Sequence, residues 1–282
     1  MPVCALLFPL LGALAYPAAP PKPLAIQNVA LSQYDDGPPV AASSYFVPGE
    51  TVFLSFQVAG YKPEGQDEQS IRLLWKVNAA DPAGRPVVAE TEGKVASALA
   101  QEDKNWLPKV RQTIQVPPFA PSGVYKISLW VKDEVAATEA RKEVEFQVRG
   151  RMVEPAATLT LRNFHFYRGE EDKEPLAVAA YRPGDAVWIR FDIVGFRLGP
   201  ANAFNVSYGV AVLRPNGETM FQQPEAAGEH DQSFYPRAYV PAGLSLNLTR
   251  DLAPGEYAIV VTARDKVGNQ TQEVRQAIAV EK

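Results

Sequence analysis

An internal repeat is the feature that most limits what this chain can fold into. Residues 46–61, FVPGETVFLSFQVAGY, align without a gap with residues 181–196, YRPGDAVWIRFDIVGF. Near the end of each copy, residues 123–133, GVYKISLWVKD, align with residues 255–265, GEYAIVVTARD. Agreement in separate blocks, at nearly the same spacing, indicates two copies of one structural unit.

The repeat divides the 282 residues into two predicted domains, residues 24–149 and residues 157–282. The predicted linker, residues 150–156, is short, so we expect it to hold the domains end to end with limited freedom. Each copy is long enough to bury its own hydrophobic core without disulfides or metals.

A period of two in the apolar residues predicts β-strands. In residues 52–58 and 127–131 every second residue is apolar, which is the pattern of a strand with one face on a core. Residues 94–105 are the exception, and we expect a short helix there. Seven strands are predicted in the first copy, near residues 24–31, 51–59, 71–78, 86–91, 111–117, 124–132 and 143–149.

The first predicted strand of each copy has the same irregularity. The apolar alternation slips at Asn28 and, in the second copy, at Asn163. Since both copies slip at the same place, the sequence predicts either a β-bulge or a strand that passes from one sheet to the other.

A motif before the sixth predicted strand points to a known family. The segment Ala-Pro-Ser-Gly-Val-Tyr at 120–125, followed by alternating apolar residues, resembles that of bacterial immunoglobulin-like and fibronectin-III-like repeat domains. The resemblance covers both copies and implies an all-β fold of two tandem seven-stranded immunoglobulin-like β-sandwich domains. It also implies that Tyr125 and Tyr257 form tyrosine corners, in which the hydroxyl bonds back to the backbone. Such domains occur in bacterial adhesion-related repeats and as accessory domains of secreted enzymes.

The N-terminus has the pattern of a secretory signal peptide, which we assign to residues 1–15. Its apolar run, residues 3–15, is shorter than the roughly 20 residues that span a bilayer. Residues 13–15, Ala-Leu-Ala, give a small-x-small cleavage pattern. The Pro-rich residues 16–23 would then form an extended spacer. These features predict a secreted or periplasmic protein with no transmembrane segment after signal removal.

The composition argues against several classes of function. The formal net charge is -4, so neither copy has the basic excess on which nucleic-acid binding depends. With two His and one Cys, the chain is poor in zinc ligands and cannot form an internal disulfide. Nucleophile elbows, phosphate loops and EF-hand loops are absent from the sequence. We therefore expect no cofactor, no metal, no nucleic-acid partner and no enzymatic activity.

Two aspartates recur at the end of the sixth predicted strand, Asp133 and Asp265. A calcium site is one interpretation, but calcium takes about six to eight oxygen ligands, and the repeat preserves one carboxylate. We favour a structural role, in which each side chain caps a hairpin turn. We also expect His165 to be structural and His230 to lie in a solvated loop.

Loop aromatics are the candidates for ligand binding. Trp106 lies in a polar stretch before a predicted strand, and Phe234, Tyr235 and Tyr239 occupy the corresponding region of the second copy. Such side chains stack on sugar rings, anchor protein partners or plug the end of a sandwich. Two aromatic loops at the same end of two domains favour a binding surface that includes Trp106, Phe234 and Tyr235.

These observations predict a non-enzymatic binding or spacing protein, whose partner is an unknown protein or glycan. Binding would use loops or sheet edges on a rigid scaffold. The alternative is an accessory carbohydrate-binding protein that uses the loop aromatics. A hydrolase acting through paired carboxylates is less favoured, because the copies share hardly any acidic position outside turns.

Overall fold

The computed structural model describes most of the chain. The predicted signal peptide, residues 1–15, and most of the predicted spacer, residues 16–23, lie outside the described residues. Within the described residues, no helix is long and apolar enough to cross a membrane. The described ranges are residues 22–41, 43–66, 68–103 and 106–282.

The first half of the described chain forms eight strands in two sheets. The sheets have the orders β1-β3-β6 and β2-β8-β7-β4-β5. All neighbours are antiparallel except β2 and β8, which are parallel. The strands are β1 (Ala25–Ser32), β2 (Tyr45–Phe46), β3 (Thr51–Ala59), β4 (Gln69–Ala80), β5 (Thr91–Leu99), β6 (Lys109–Gln115), β7 (Gly123–Asp133) and β8 (Thr138–Val148).

The second half repeats this arrangement strand for strand. Its sheets have the orders β9-β11-β14 and β10-β16-β15-β12-β13, so each strand corresponds to the strand eight places earlier. The strands are β9 (Thr160–Tyr167), β10 (Ala180–Tyr181), β11 (Ala186–Val194), β12 (Phe204–Leu213), β13 (Thr219–Asp231), β14 (Tyr239–Asn247), β15 (Gly255–Asp265) and β16 (Gln270–Val280).

Each half buries an apolar core between its two sheets. In β3 the side chains of Val52, Leu54 and Phe56 are buried and those between them are partly exposed, as alternation across a strand requires. They pack with residues such as Leu129 of the facing sheet. The predicted class, an all-β fold of immunoglobulin-like β-sandwiches, is confirmed. The division into two domains stays a prediction, since Tyr235 of the second half belongs to the first core.

Three details of the predicted strands were wrong. Each half has an eighth strand, the two-residue β2 or β10, which pairs in parallel with the last strand. The fourth predicted strand, residues 86–91, lies instead at Thr91–Leu99. The helix expected at residues 94–105 is absent from its described part, where a short 3₁₀ turn, Gln101–Asp103, follows β5. Regular pairing of β5 with β4 outweighs the helix propensity of its small residues.

The irregularity in the first strand of each half is a β-bulge. The pairing of β1 with β3 shifts between Gln27 and Ala30, and that of β9 with β11 shifts at the same place. Asn28 and Asn163 lie there with φ of 48° and 49°. Asparagine is among the residues that best tolerate this left-handed backbone conformation.

Candidate binding site

Two tyrosines connect the start of β7 and β15 to the preceding loop. The Tyr125 hydroxyl donates a hydrogen bond of 2.9 Å to the Pro121 carbonyl, and that of Tyr257 donates one of 2.9 Å to the Ala253 carbonyl. Burial and the nearby Asp81 carboxylate raise the pKa of Tyr125 to about 12. This is the geometry of a tyrosine corner.

The repeated aspartates at the ends of β7 and β15 bind backbone N–H groups. The buried Asp133 carboxylate accepts hydrogen bonds from the N–H of Lys62 at 2.7 Å, and from Val135 and Ala136 in the hairpin turn. Asp265 accepts the corresponding bonds from Arg197, Val267 and Gly268. Among the described residues, no group of three or more His, Cys, Asp or Glu side chains could hold a metal ion.

Trp106 lies at the outer end of the first half, away from the second half. The residue is 38% exposed. Its carbonyl accepts a 2.7 Å hydrogen bond from the Tyr61 hydroxyl, and its N–H donates to the Asp103 carbonyl. The backbone of this residue is therefore held in place, and its indole reaches solvent.

Phe234 and Tyr235 lie at the junction between the halves, and their environments differ. Phe234 is 55% exposed, whereas Tyr235 is 7% exposed and packs into the first core. Tyr235 was predicted to belong to the binding surface, but the adjacent half covers most of it. It therefore has little surface left for a ligand.

The structure does not bring Trp106 together with the other two aromatics. β4 extends from Gln69, near the Trp106 loop, to Ala80, near the junction. At about 3.3 Å per residue, the two aromatic loops lie roughly 35 Å apart. The two loops occupy equivalent ends of their halves. Because the halves follow one another head to tail, the loops are separated by about the length of the first half.

A buried carboxylate, Asp81, organises the junction. One oxygen accepts the N–H groups of Ala83 and Arg85 within the turn after β4. The other accepts the Arg85 Nε at 2.8 Å and, from the second half, the Tyr235 hydroxyl at 2.8 Å. Every donor is within hydrogen-bonding distance, so the turn and the second half are bound to a single charged group.

The electrostatics of this cluster follow from those bonds. Burial alone would raise the pKa of Asp81, but the hydrogen bonds from Arg85 and Tyr235 outweigh it, so the pKa lies below its ordinary value. Burial, with the hydrogen bond to Asp81, raises the pKa of Tyr235. The carboxylate therefore stays charged and the phenol stays neutral over the ordinary pH range.

Aromatic and guanidinium groups pack beside this cluster. Phe119 of the first half contacts Tyr239 of the second edge to face, with ring centroids 5.6 Å apart. The Arg237 guanidinium lies 4.1 Å from the Phe119 ring centroid and forms an ion pair with Glu229. These contacts combine apolar burial with cation–π attraction across the junction.

The linker is also bound to the second half. Arg151 forms two hydrogen bonds, of 2.8 and 2.7 Å, with the carboxylate of Asp192 in β11. The bulge residue Asn163 donates a third bond to Asp192, of 2.7 Å. At the equivalent place in the first half, Asn28 donates to the neutral side chain of Gln57.

A groove of about 240 Å³ opens at the junction beside the buried cluster. Phe234 lies on one wall and is the most exposed aromatic there. The groove is the candidate binding site, because it combines apolar surface with groups from both halves. Its lining includes Val87, Val88, Phe119, Phe234, Tyr235 and Arg237.

Sequence reasoning missed most of this junction. No role was predicted for Asp81, and Arg151 was predicted only as part of the linker. A usable signal exists for Asp192: it stands where the first copy has Gln57, between the apolar residues Phe191 and Ile193. A carboxylate gained inside a buried strand indicates a charged partner nearby.

Comparison with known proteins gives no family. No protein-family model matches the chain, and no curated protein matches it. Among solved structures, the C-terminal domain of the Streptococcus agalactiae antigen I/II polypeptide BspA shares 10% identity at a TM-score of 0.30, covering 92% of this chain and 100% of that one. The C-terminal domain of the Streptococcus pyogenes antigen I/II-family protein AspA shares 9% at 0.31, covering 92% and 99%. The fold assignment rests on the sheets described above.

Proposed function

We propose that this protein is a non-enzymatic binding or spacing protein that acts outside the cytoplasm and consists of two immunoglobulin-like domains, residues 24–149 and 157–282. The observation that carries the proposal is that the buried carboxylates of this protein have structural roles. The four that are buried among the described residues each accept hydrogen bonds from turn, linker or junction groups. They are Asp81, Asp133, Asp192 and Asp265.

The two histidines support the same proposal. His165 in β9 and His230 in β13 are both exposed and belong to different sheets. A general base needs a partner that orients it, and the hydrogen bonds of the described residues include none for either imidazole. The polar groups of this chain therefore serve its architecture, and binding is the activity that its surface supports.

The junction supports the spacing role. Asp81 with Tyr235 and Arg151 with Asp192 connect the halves and the linker through charge-assisted hydrogen bonds, which are shorter and stronger than neutral ones. Contacts of this kind fix the angle between two domains. Polar interfaces that lack them permit the domains to move relative to each other. We infer that the protein presents its loops at a constant separation.

Phe234 is the residue through which we propose that a protein partner binds. It is exposed beside the junction groove, and aromatic side chains in such places form the anchors of protein interfaces. The test is affinity capture on envelope and secreted fractions with the native chain and with Phe234→Ala, followed by measurement of affinity for the captured protein. We expect the variant to bind at least roughly tenfold more weakly.

A matched control is Phe221→Ala, since Phe221 is 43% exposed and lies on β13, outside the groove lining. This variant should keep the native affinity. Equal loss in both variants, or no loss in either, would contradict binding at the groove.

Glycan binding through Trp106 is the second candidate function. The observation that favours it is an exposed indole on a backbone that Tyr61 holds in place, which is the form of a stacking platform for a sugar ring. A glycan array should then show saturable binding that Trp106→Ala abolishes without changing the melting temperature. Binding that survives this substitution would exclude Trp106 as the platform.

Export is tested separately from binding. Mass spectrometry of the protein recovered outside the cytoplasm should find a mature end near Tyr16, as the signal-peptide assignment predicts. Exported protein that still begins at Met1 would contradict that assignment.

A further inference from the structure

The five-stranded sheets of the two halves end in edge strands of different character. β13 contains Pro224, and its pairing with β12 shifts register twice. β5 has no proline and pairs with β4 over nine consecutive residues without a shift. Proline and bulges protect an edge from pairing with another strand, so of the two edges compared only β13 has this protection.

The direction of the free hydrogen-bonding groups on β5 follows from β4. The carbonyl of Ala79 accepts a bond from the N–H of Val87, which lies on the β5 side, so the odd-numbered residues of β4 point their backbone groups towards β5. Their partners in β5 are also odd-numbered. By alternation, the N–H and C=O groups of residues 92, 94, 96 and 98 point away from the sheet.

These four residues are accessible, and two of them are small. Glu92, Lys94, Ala96 and Ala98 are exposed, and the residues between 92 and 98 are partly buried. Alanine at two of the four positions leaves room for another backbone to approach to the usual strand spacing of about 4.8 Å. The backbone edge of β5 is therefore accessible to an incoming strand at these four residues.

We propose that β5 pairs with β5 of a second copy of this chain, in antiparallel register about a two-fold axis at Val95. This register aligns all nine residues of both strands. It places Lys94 opposite Ala96 and Glu92 opposite Ala98, so no like charges stand directly opposite each other. The two Lys94 side chains are diagonal neighbours, about 7–8 Å apart. Pairing would add about eight backbone hydrogen bonds and join the two five-stranded sheets into one continuous sheet.

The occupant is a second copy because the strand is complementary to itself. Val95 meets Val95, which is a favourable cross-strand pair, and each charged side chain meets an alanine. The same operation on β13 would place the Pro224 region and its bulge in the interface. This inference goes beyond the proposed function and does not depend on the identity of its ligand.

The first test is the mass of the full chain in solution, measured by light scattering after size exclusion. We expect a dimer for the native chain and a monomer for Ala96→Pro, since proline removes one outward donor and no bond to β4. Ala96→Ser is the matched control and should remain a dimer. A native chain that is monomeric at high concentration, or a dimeric Ala96→Pro, would overturn the proposal.

The second test fixes the register and does not depend on the proline variant folding. In a Cys4→Ser background, Val95→Cys should form a disulfide-linked dimer under mild oxidation, because the axis places the two residues opposite each other. Ser97→Cys should stay reduced, since the two Ser97 residues would be roughly 13 Å apart along the strands. Linkage through Ser97→Cys, or none through Val95→Cys, would contradict this pairing.

Discussion

At the scale of single residues, the junction depends on one carboxylate. Asp81 is enclosed by donors from its own turn and by the Tyr235 hydroxyl from the other half. A buried charge without donors is strongly unfavourable. Loss of any one donor therefore leaves the Asp81 carboxylate less stabilised and weakens the junction. The aromatic ring of Tyr235 supplies apolar contact, and its hydroxyl supplies the polar link.

Removal of that hydroxyl separates the two contributions. We expect Tyr235→Phe to lower the free energy of unfolding by about 1.5–3 kcal/mol, the usual worth of a hydrogen bond to a charged group. The measurement is urea denaturation of the full chain. Tyr34→Phe is the control: Tyr34 is 60% exposed, so its change should stay within about 0.5 kcal/mol. Equal effects would contradict a special role for Tyr235.

The pKa values of the buried phenols determine how the stability of the fold should depend on pH. Burial raises the pKa of Tyr125 and of Tyr181 from 10.0 to about 12. A folded-state pKa above the unfolded value means that the stabilisation is complete below pH 10 and is lost as the pH rises towards 12. Melting temperatures measured across this range should fall, and Tyr181→Phe should reduce the fall. A flat profile in the native chain would contradict the burial of these phenols.

At the scale of elements, side chains hold the hairpins and bulges in place. Asp133 and Asp265 each bind a turn and a neighbouring loop. In the first strands, Asn28 and Asn163 adopt the positive φ of a bulge. The duplicated positions keep duplicated contacts, which explains why these residues recur although they lie outside the apolar core.

The cap at the end of β7 can be tested directly. Asp133→Ala leaves the N–H groups of Lys62, Val135 and Ala136 without their acceptor, so we expect a loss of about 3 kcal/mol in unfolding free energy. Asp133→Asn retains one carbonyl oxygen and should lose less. Chemical denaturation of both variants provides the measurement. If both variants lose the same amount, the carboxylate oxygens are not the relevant acceptors.

The strands differ in how far the sequence predicts them. β3 and β7 follow from alternation, because large apolar residues mark one face. β5 was missed because its side chains are small or charged and its position depends on pairing with β4. The burial of Tyr235 was missed for a related reason: the covering surface belongs to a distant part of the chain. Local sequence patterns predict the strands that they mark. Contacts between the halves cannot be predicted from them, because the residues in contact are far apart in the chain.

At the scale of the whole molecule, two sandwiches share one buried contact region. Tyr235 belongs to the core of the first half, and the linker is bound to the second half through Arg151. The halves are therefore coupled, although each has its own core. Coupling of this kind raises the cooperativity of unfolding compared with two independent domains.

Separate expression of the halves tests the predicted domain division. Residues 22–150 should fold alone with a melting temperature roughly 5–10 °C below that of the intact chain, because the fragment lacks the Tyr235 hydrogen bond. Residues 151–282 retain Arg151 and Asp192 and should lose less. Circular dichroism of both fragments is the measurement. A fragment 22–150 that has no cooperative transition would refute the division.

The difference between Gln57 and Asp192 has a consequence for building longer chains from this unit. The second copy has an acid that captures the arginine of the segment leading into it, whereas the first copy has a neutral amide at that place. Fusion of another unit upstream would therefore give a hinged joint, even with an identical connecting segment. Exchange of the amide for an acid, together with an arginine in the new connection, is the smallest change that would make such an array stiff.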